Sequence, residues 1–145
     1  KASLRMNPSR IVVGEVRSAE ALDMLQAMNT GHDGSLSTGH GNSSKDMLSR
    51  IETMVLSGAD LPLNAIRNQM ASAIDIMIHL ARLRDRSRKV ISIMEVGECI
   101  NGNIELNPLF EFEEISGNTE KVSGILKKTG ELKNKEKLSA AGERL

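Results

Sequence analysis

Apolar positions along the chain change period from one element to the next. After Pro8, the β-branched residues Ile11, Val12 and Val13 run into Gly14 and Glu15, which predicts a short, fully buried strand. Ala21, Leu22, Leu25, Ala27 and Met28 then recur at helical spacing. Ser18 is the candidate N-cap and Gly31 lies beyond the end. SLST, residues 35–38, reads as a second buried strand of small residues. Met47, Leu48, Ile51, Met54 and Val55 form another helical stripe, with Ser43 or Ser44 as cap and Gly58 as stop. Pro62 sits where a helix favours its first residue, and LNAIRNQMASA continues as a helix. IDIMIHLARLR alternates, as a strand does.

With a helix read over KASLRMN at the start, this order describes an α/β layered domain with a parallel sheet. RKVISIMEV and GNIELNPLFEFEE alternate as two further strands. Asn101, Gly102 and Asn103 between them favour a tight turn, so residues 88–113 read as an antiparallel extension at the sheet's edge. Residues 116–145 are lysine-rich and weakly apolar, with a short solvated helix at most in NKEKLSAAGERL. Residues 1–115 thus carry the α/β domain and 116–145 a tail.

Composition narrows the function classes. A length of 145 residues suits one core. Lys plus Arg and Asp plus Glu both number 19, so net charge offers no reason to expect direct nucleic-acid binding. Phe110 and Phe112 are the sole aromatics, which removes base stacking. Cys99 stands alone and no apolar run reaches membrane-span length, which points to a reducing, cytoplasmic setting. The chain begins at Lys1 with no initiator Met, as a piece of a longer protein would.

Ligands of parallel α/β sheets sit beyond the carboxyl ends of the strands. Glu15 closes the first strand there, and His40 follows the second. A carboxylate at that place can activate water, and an imidazole can donate to a developing negative oxygen. Gly34, Gly39 and Gly41 let the backbone approach a ligand closely. Other readings of the same residues remain open. His32, His40, Asp33 and Glu15 could supply metal ligands, although histidines eight positions apart are no recognised zinc spacing. Ser35 or Ser37 with His40 and Asp33 could form a hydrolase arrangement, but no GxSxG elbow is present. His32 could simply bond backbone carbonyls. The eight methionines read as core filler, His79 as a half-exposed structural residue, RLRDRSRK as a solvated hairpin edge, and Cys99 as unactivated.

RIVVGEVR (10–17), TGHDGSLSTGHGNS (30–43), RIETM (50–54) and DLPLNAIRNQMASAID (60–75) together resemble the secretion ATPases of type II and type IV systems and type IV pili. They look most like the Flp/Tad pilus-assembly (CpaF-type) branch. The resemblance holds to about Glu113, and KKTGELKNKEKLSAAG matches the family's C-terminal end more loosely. It implies the C-terminal portion of a RecA-like P-loop NTPase domain, using ATP and Mg²⁺. It implies a hexamer at the cytoplasmic face of the inner membrane, with a membrane platform protein as partner. By the same resemblance Glu15 is the Walker B glutamate, acting on the attacking water and indirectly on Mg²⁺. His40 is the histidine facing the γ-phosphate, with Thr38 and His32 in support. Arg5 and Arg17 match arginines near the nucleotide or a subunit boundary. Gly39 and Gly41 stand where the family usually has an apolar and a small residue, which implies a more mobile loop. No GxxxxGK[ST] occurs in the sequence, so the chain looks like the half that follows the P-loop, inactive alone. Conjugation and type IV secretion ATPases share these motifs and form the nearer alternative. An ATPase-like interaction module without nucleotide chemistry is the other.

Overall fold

A computed structural model describes residues 6–117 and 121–143. Two compact units are present, Lys1–Asp75 with Glu98–Glu105, and Ile76–Gly97 with Leu106–Leu145.

In the first unit, β1 (Val12–Val13) and β2 (Leu36–Ser37) pair in parallel, and α1 (Glu20–Met28), α2 (Ser44–Leu56) and α3 (Leu63–Ala73) pack together. The core is helical. Ala21, Met24 and Leu25 of α1, Leu48, Ile51 and Val55 of α2, and Ile66 and Met70 of α3 are all buried, and each large apolar side chain fully buried contributes about 1.5–3 kcal/mol. The predicted helical stripes therefore face one another. The predicted burial of both strands is corrected: Val12 is 69% exposed and Leu36 62%. These two are register partners on one face. In a sheet of two strands both are edges, so neither gains the two-sided cover of an inner strand.

Caps follow side-chain chemistry more closely than spacing. Ser43 caps α2 as expected, its hydroxyl accepting from the Asp46 N–H at 3.0 Å. Ser18 does not cap α1. The N-cap position falls on Ala19, and Glu20 Oε1 instead accepts from the N–H groups of Arg17 and Ser18 at 2.8 and 3.1 Å. A glutamate reaching back in this way ties the segment before the helix to its first turn, satisfying donors that an N-cap hydroxyl does not reach. Gly58 closes α2 by allowing contact, since a Cβ there would stand 2.4 Å from that of Ala19.

The second unit holds most of an antiparallel sheet in the order β3 (Ile76–Arg82), β4 (Arg88–Ile100), β5 (Asn103–Gly117) and β6 (Val122–Lys128). β3, expected in the parallel sheet, belongs here. Leu83 N–H bonds Ser87 O at 2.8 Å, turning the chain straight back, and so short a link can join only antiparallel neighbours. Its alternation is inverted: Ile76, Ile78 and Leu80 are exposed and His79 half-buried. β6 lies inside the stretch read as a tail. Its pairing with β5, Phe112 opposite Leu126 and Glu113 opposite Ile125, supplies a partner that sparse apolar residues do not advertise. The terminal helix α4 (Glu136–Ala140) buries nothing, as expected. The β4–β5 tips belong to the first unit, joined through Asn101 and Gly102 at φ 50° and 76°, the left-handed pair of a tight hairpin turn.

Candidate functional site

β1 and β2 run side by side and their carboxyl ends meet. Leu36 N–H bonds Ile11 O at 2.9 Å, and beyond the ladder Val16 N–H bonds Thr38 O at 3.0 Å. The Thr38 hydroxyl donates to Gly14 O at 2.5 Å. Thr38 therefore clasps the backbone on both sides of Glu15, and buried Val16 anchors the next residue.

Held in this way, Glu15 meets a guanidinium and an imidazole. Arg17 Nη2 lies 2.5 Å from Oε2, and His40 Nε2 lies 2.9 Å from Oε1. Arg17 and His40 are about three-quarters exposed, while the Glu15 side chain is 23% exposed. The guanidinium of Arg17 is the main reason that the carboxyl stays below its ordinary range, against a smaller desolvation that raises it; His40 adds to the lowering. The contact with His40 is one of distance only. That buried oxygen has no hydrogen-bond partner of good geometry. An ionised carboxylate with an uncommitted oxygen, an imidazole beside it and a guanidinium behind can orient water and meet an anion.

The structure gathers Glu15, Arg17, Thr38 and His40 and leaves out His32. His32 stands before β2, at the opposite end of that strand, where Nδ1 lies 3.1 Å from Ala27 O at the close of α1. Arg5 lies outside the described residues. Ser35 is taken up structurally, donating to His32 O at 2.7 Å and accepting from Ile11 N–H at 2.9 Å, so its hydroxyl is not poised on His40. Among the described residues no three His, Cys, Asp or Glu side chains converge on a metal position. A cleft of about 440 Å³ lined by Gln26, Asn29, Thr30, Asn68, Gln69 and Ser72 includes none of the predicted residues. Sequence reasoning missed Glu20, which holds the backbone of Arg17. An acidic residue in the first helical turn, three positions after Arg17, was its available signal.

The sequence pattern of the family described as type II/IV secretion system protein matches residues 1–134. This chain belongs to that family. A Mycobacterium tuberculosis relative named for conjugal transfer is 43% identical over 94 residues, covering 64% of this chain and 26% of the relative. The type IV secretion system protein PtlH of Bordetella pertussis is 37% identical over 98 residues, covering 64% and 29%. The crystal structure of the VirB11 ATPase from the Brucella suis type IV secretion system, in complex with sulphate, matches with a TM-score of 0.60 and 30% identity, covering 65% of this chain and 31% of that one. The α/β fold with parallel and antiparallel sheets is thus that of a secretion-system family member. The chain spans about a quarter to a third of the length of these relatives.

Proposed function

We propose that this chain is the C-terminal portion of an ATPase subunit that powers a type IV secretion or conjugal transfer system, with Glu15 and His40 at its hydrolytic site. The observation that carries this reading is the cluster of Glu15, His40 and Arg17 at the carboxyl ends of two parallel strands. Relatives named for conjugal transfer and type IV secretion favour that assignment over the Flp/Tad pilus-assembly branch.

Phosphoryl transfer depends on positioning and charge stabilisation rather than covalent chemistry. Glu15, kept ionised by Arg17, orients the attacking water and accepts its proton. Its uncommitted Oε1 fits that task and fits a water of a bound Mg²⁺, whose role is to neutralise phosphate charge. His40 stands over Oε1 and is mostly exposed, so an imidazole drawn toward a terminal phosphate uncovers the carboxylate as it binds. Arg17, and by the family resemblance Arg5, serve the nucleotide or a neighbouring subunit, Thr38 holds the strand end, and His32 supports the histidine loop. The working assembly is a hexamer on a membrane platform protein at the cytoplasmic face of the inner membrane. Among the described residues no helix is long and apolar enough to cross a membrane. Lacking GxxxxGK[ST], the 145-residue chain by itself does not turn over ATP.

The test uses the longer protein that carries this sequence. Glu15→Gln removes the base and keeps the shape, so ATP turnover falls by about 10²-fold or more while nucleotide affinity is retained. His40→Ala lowers turnover without abolishing binding. Turnover at wild-type rate in Glu15→Gln overturns the catalytic reading and leaves an ATPase-like interaction module.

A further inference from the structure

We propose that Met47, in the first turn of α2, is the positioning residue for His40, and that it acts through the two glycines flanking that histidine. A Cβ on Gly39 would stand 2.2 Å from Met47 Cε and 3.0 Å from Sδ, with Val16 Cγ1 at 3.5 Å. A Cβ on Gly41 would stand 3.0 Å from Met47 Cβ, 3.1 Å from its backbone nitrogen and 3.2 Å from its Cα. Gly39 therefore rests on the tip of the methionine and Gly41 on its root. The backbone on both sides of His40 is seated along one side chain, although the imidazole itself is 79% exposed.

The seat is firm at its base. Met47 N–H bonds Ser43 O at 2.9 Å, Ser43 caps the helix, and the neighbouring Leu48 and Ile51 are buried. Only the thioether end can move. The space beside residue 39 thus holds one side chain, either that of Met47 or one attached to position 39. The glycines, which by themselves imply a looser loop, are what admit the methionine. Dispersion contacts of this kind are individually small and sum over a close fit. The inference concerns where His40 is held and stands whatever ligand His40 meets.

Backbone ¹⁵N relaxation on the 145-residue chain tests it. In the wild type, residues 39–41 are expected to be ordered, with order parameters near about 0.85, and in Met47→Ala to fall below about 0.6. Met47→Leu, which refills the space, keeps them high. Gly39→Leu alone displaces the thioether and loosens the loop, whereas Gly39→Leu combined with Met47→Ala restores order. Unchanged order in Met47→Ala, or no recovery in the double variant, overturns the proposal. Should Met47→Ala not fold, the nuclear Overhauser effect from the Met47 methyl to the Gly39 Hα of the wild type decides: its presence upholds the seat and its absence removes it. If the order parameters follow this pattern while turnover of the longer protein does not, Met47 keeps its role and His40 loses its catalytic one.

Discussion

At the residue scale, the site depends on a carboxylate that is partly withdrawn from water yet stays charged. Glu15 owes this first to Arg17, and only then to His40. Arg17→Ala therefore moves the Glu15 carboxyl up toward its ordinary value, which ¹³C titration of the side-chain carboxyl reads directly. A carboxyl that titrates at the same pH in both forms would show that the 2.5 Å contact has no electrostatic consequence. The sign extends to stability. A folded-state pKa below the unfolded one gives a contribution present above the unfolded value and lost as pH falls through the folded one. Arg17→Ala narrows that acid-sensitive window. Charge at Glu15 thus connects chain stability to the protonation state that the proposed water activation requires.

At the element scale, the start of α2 links helix capping to the histidine loop. Ser43→Ala removes the acceptor for the Asp46 N–H and should cost about 1 kcal/mol, read as a lower denaturation midpoint. The backbone carbonyl of Ser43 still accepts from the Met47 N–H in that variant, so residues 39–41 keep their order unless the first turn of α2 frays; a lower midpoint with that loop unaltered separates cap from loop. The three helices, the Asn101–Gly102 turn and the existence of β3, β4 and β5 as strands were legible because each rests on local chemistry: spacing, a left-handed pair and, for α2, a cap. The failures have a common physical source. Ile11–Val13 looks like an inner strand by composition, but burial depends on neighbours, and Val12 lies on the open face of a two-stranded sheet. β6 was hidden because its stability comes from pairing with β5 across the register Glu113 to Ile125 rather than from its own residues. That Glu15 and His40 lie together was legible because the carboxyl ends of paired parallel strands are side by side. Thr38 and Arg17 were named, yet the clasp on Gly14 and the ion pair with Glu15 arise only from the pairing of β1 with β2 and the turn into α1.

At the scale of the whole molecule, each unit is closed by one charged side chain that ties distant segments together. In the first unit Arg67 bonds both oxygens of Glu52 and, at 2.5 Å, Gly102 O, joining α2, α3 and the hairpin turn. In the second, Glu95 is 3% exposed and accepts from Asn107 Nδ2 at 2.7 Å, from Asn134 N–H at 2.7 Å and from Lys133 N–H at 3.0 Å. Burial pushes this carboxyl up, and the bonds from Asn134, Asn107 and Lys133 outweigh it, so it lies below the ordinary range. The carboxylate therefore straps residues 131–134 onto the sheet, and Asn107 adds a bond to Glu131 O at 2.9 Å. Glu95→Gln places an amide donor among donors and should cost about 1–3 kcal/mol. Hydrogen exchange should then speed up at Lys133 and Asn134, while the amide of Val16 in the first unit keeps its protection. The pH dependence separates lost charge from lost packing. Wild-type stability from Glu95 is present above the unfolded carboxyl pKa and disappears as pH falls through the folded one, whereas glutamine does not titrate. The gap between the two proteins must therefore be widest near neutrality and close in acid; a gap independent of pH would mean that the strap is held by shape, and that the carboxylate's charge adds nothing to it.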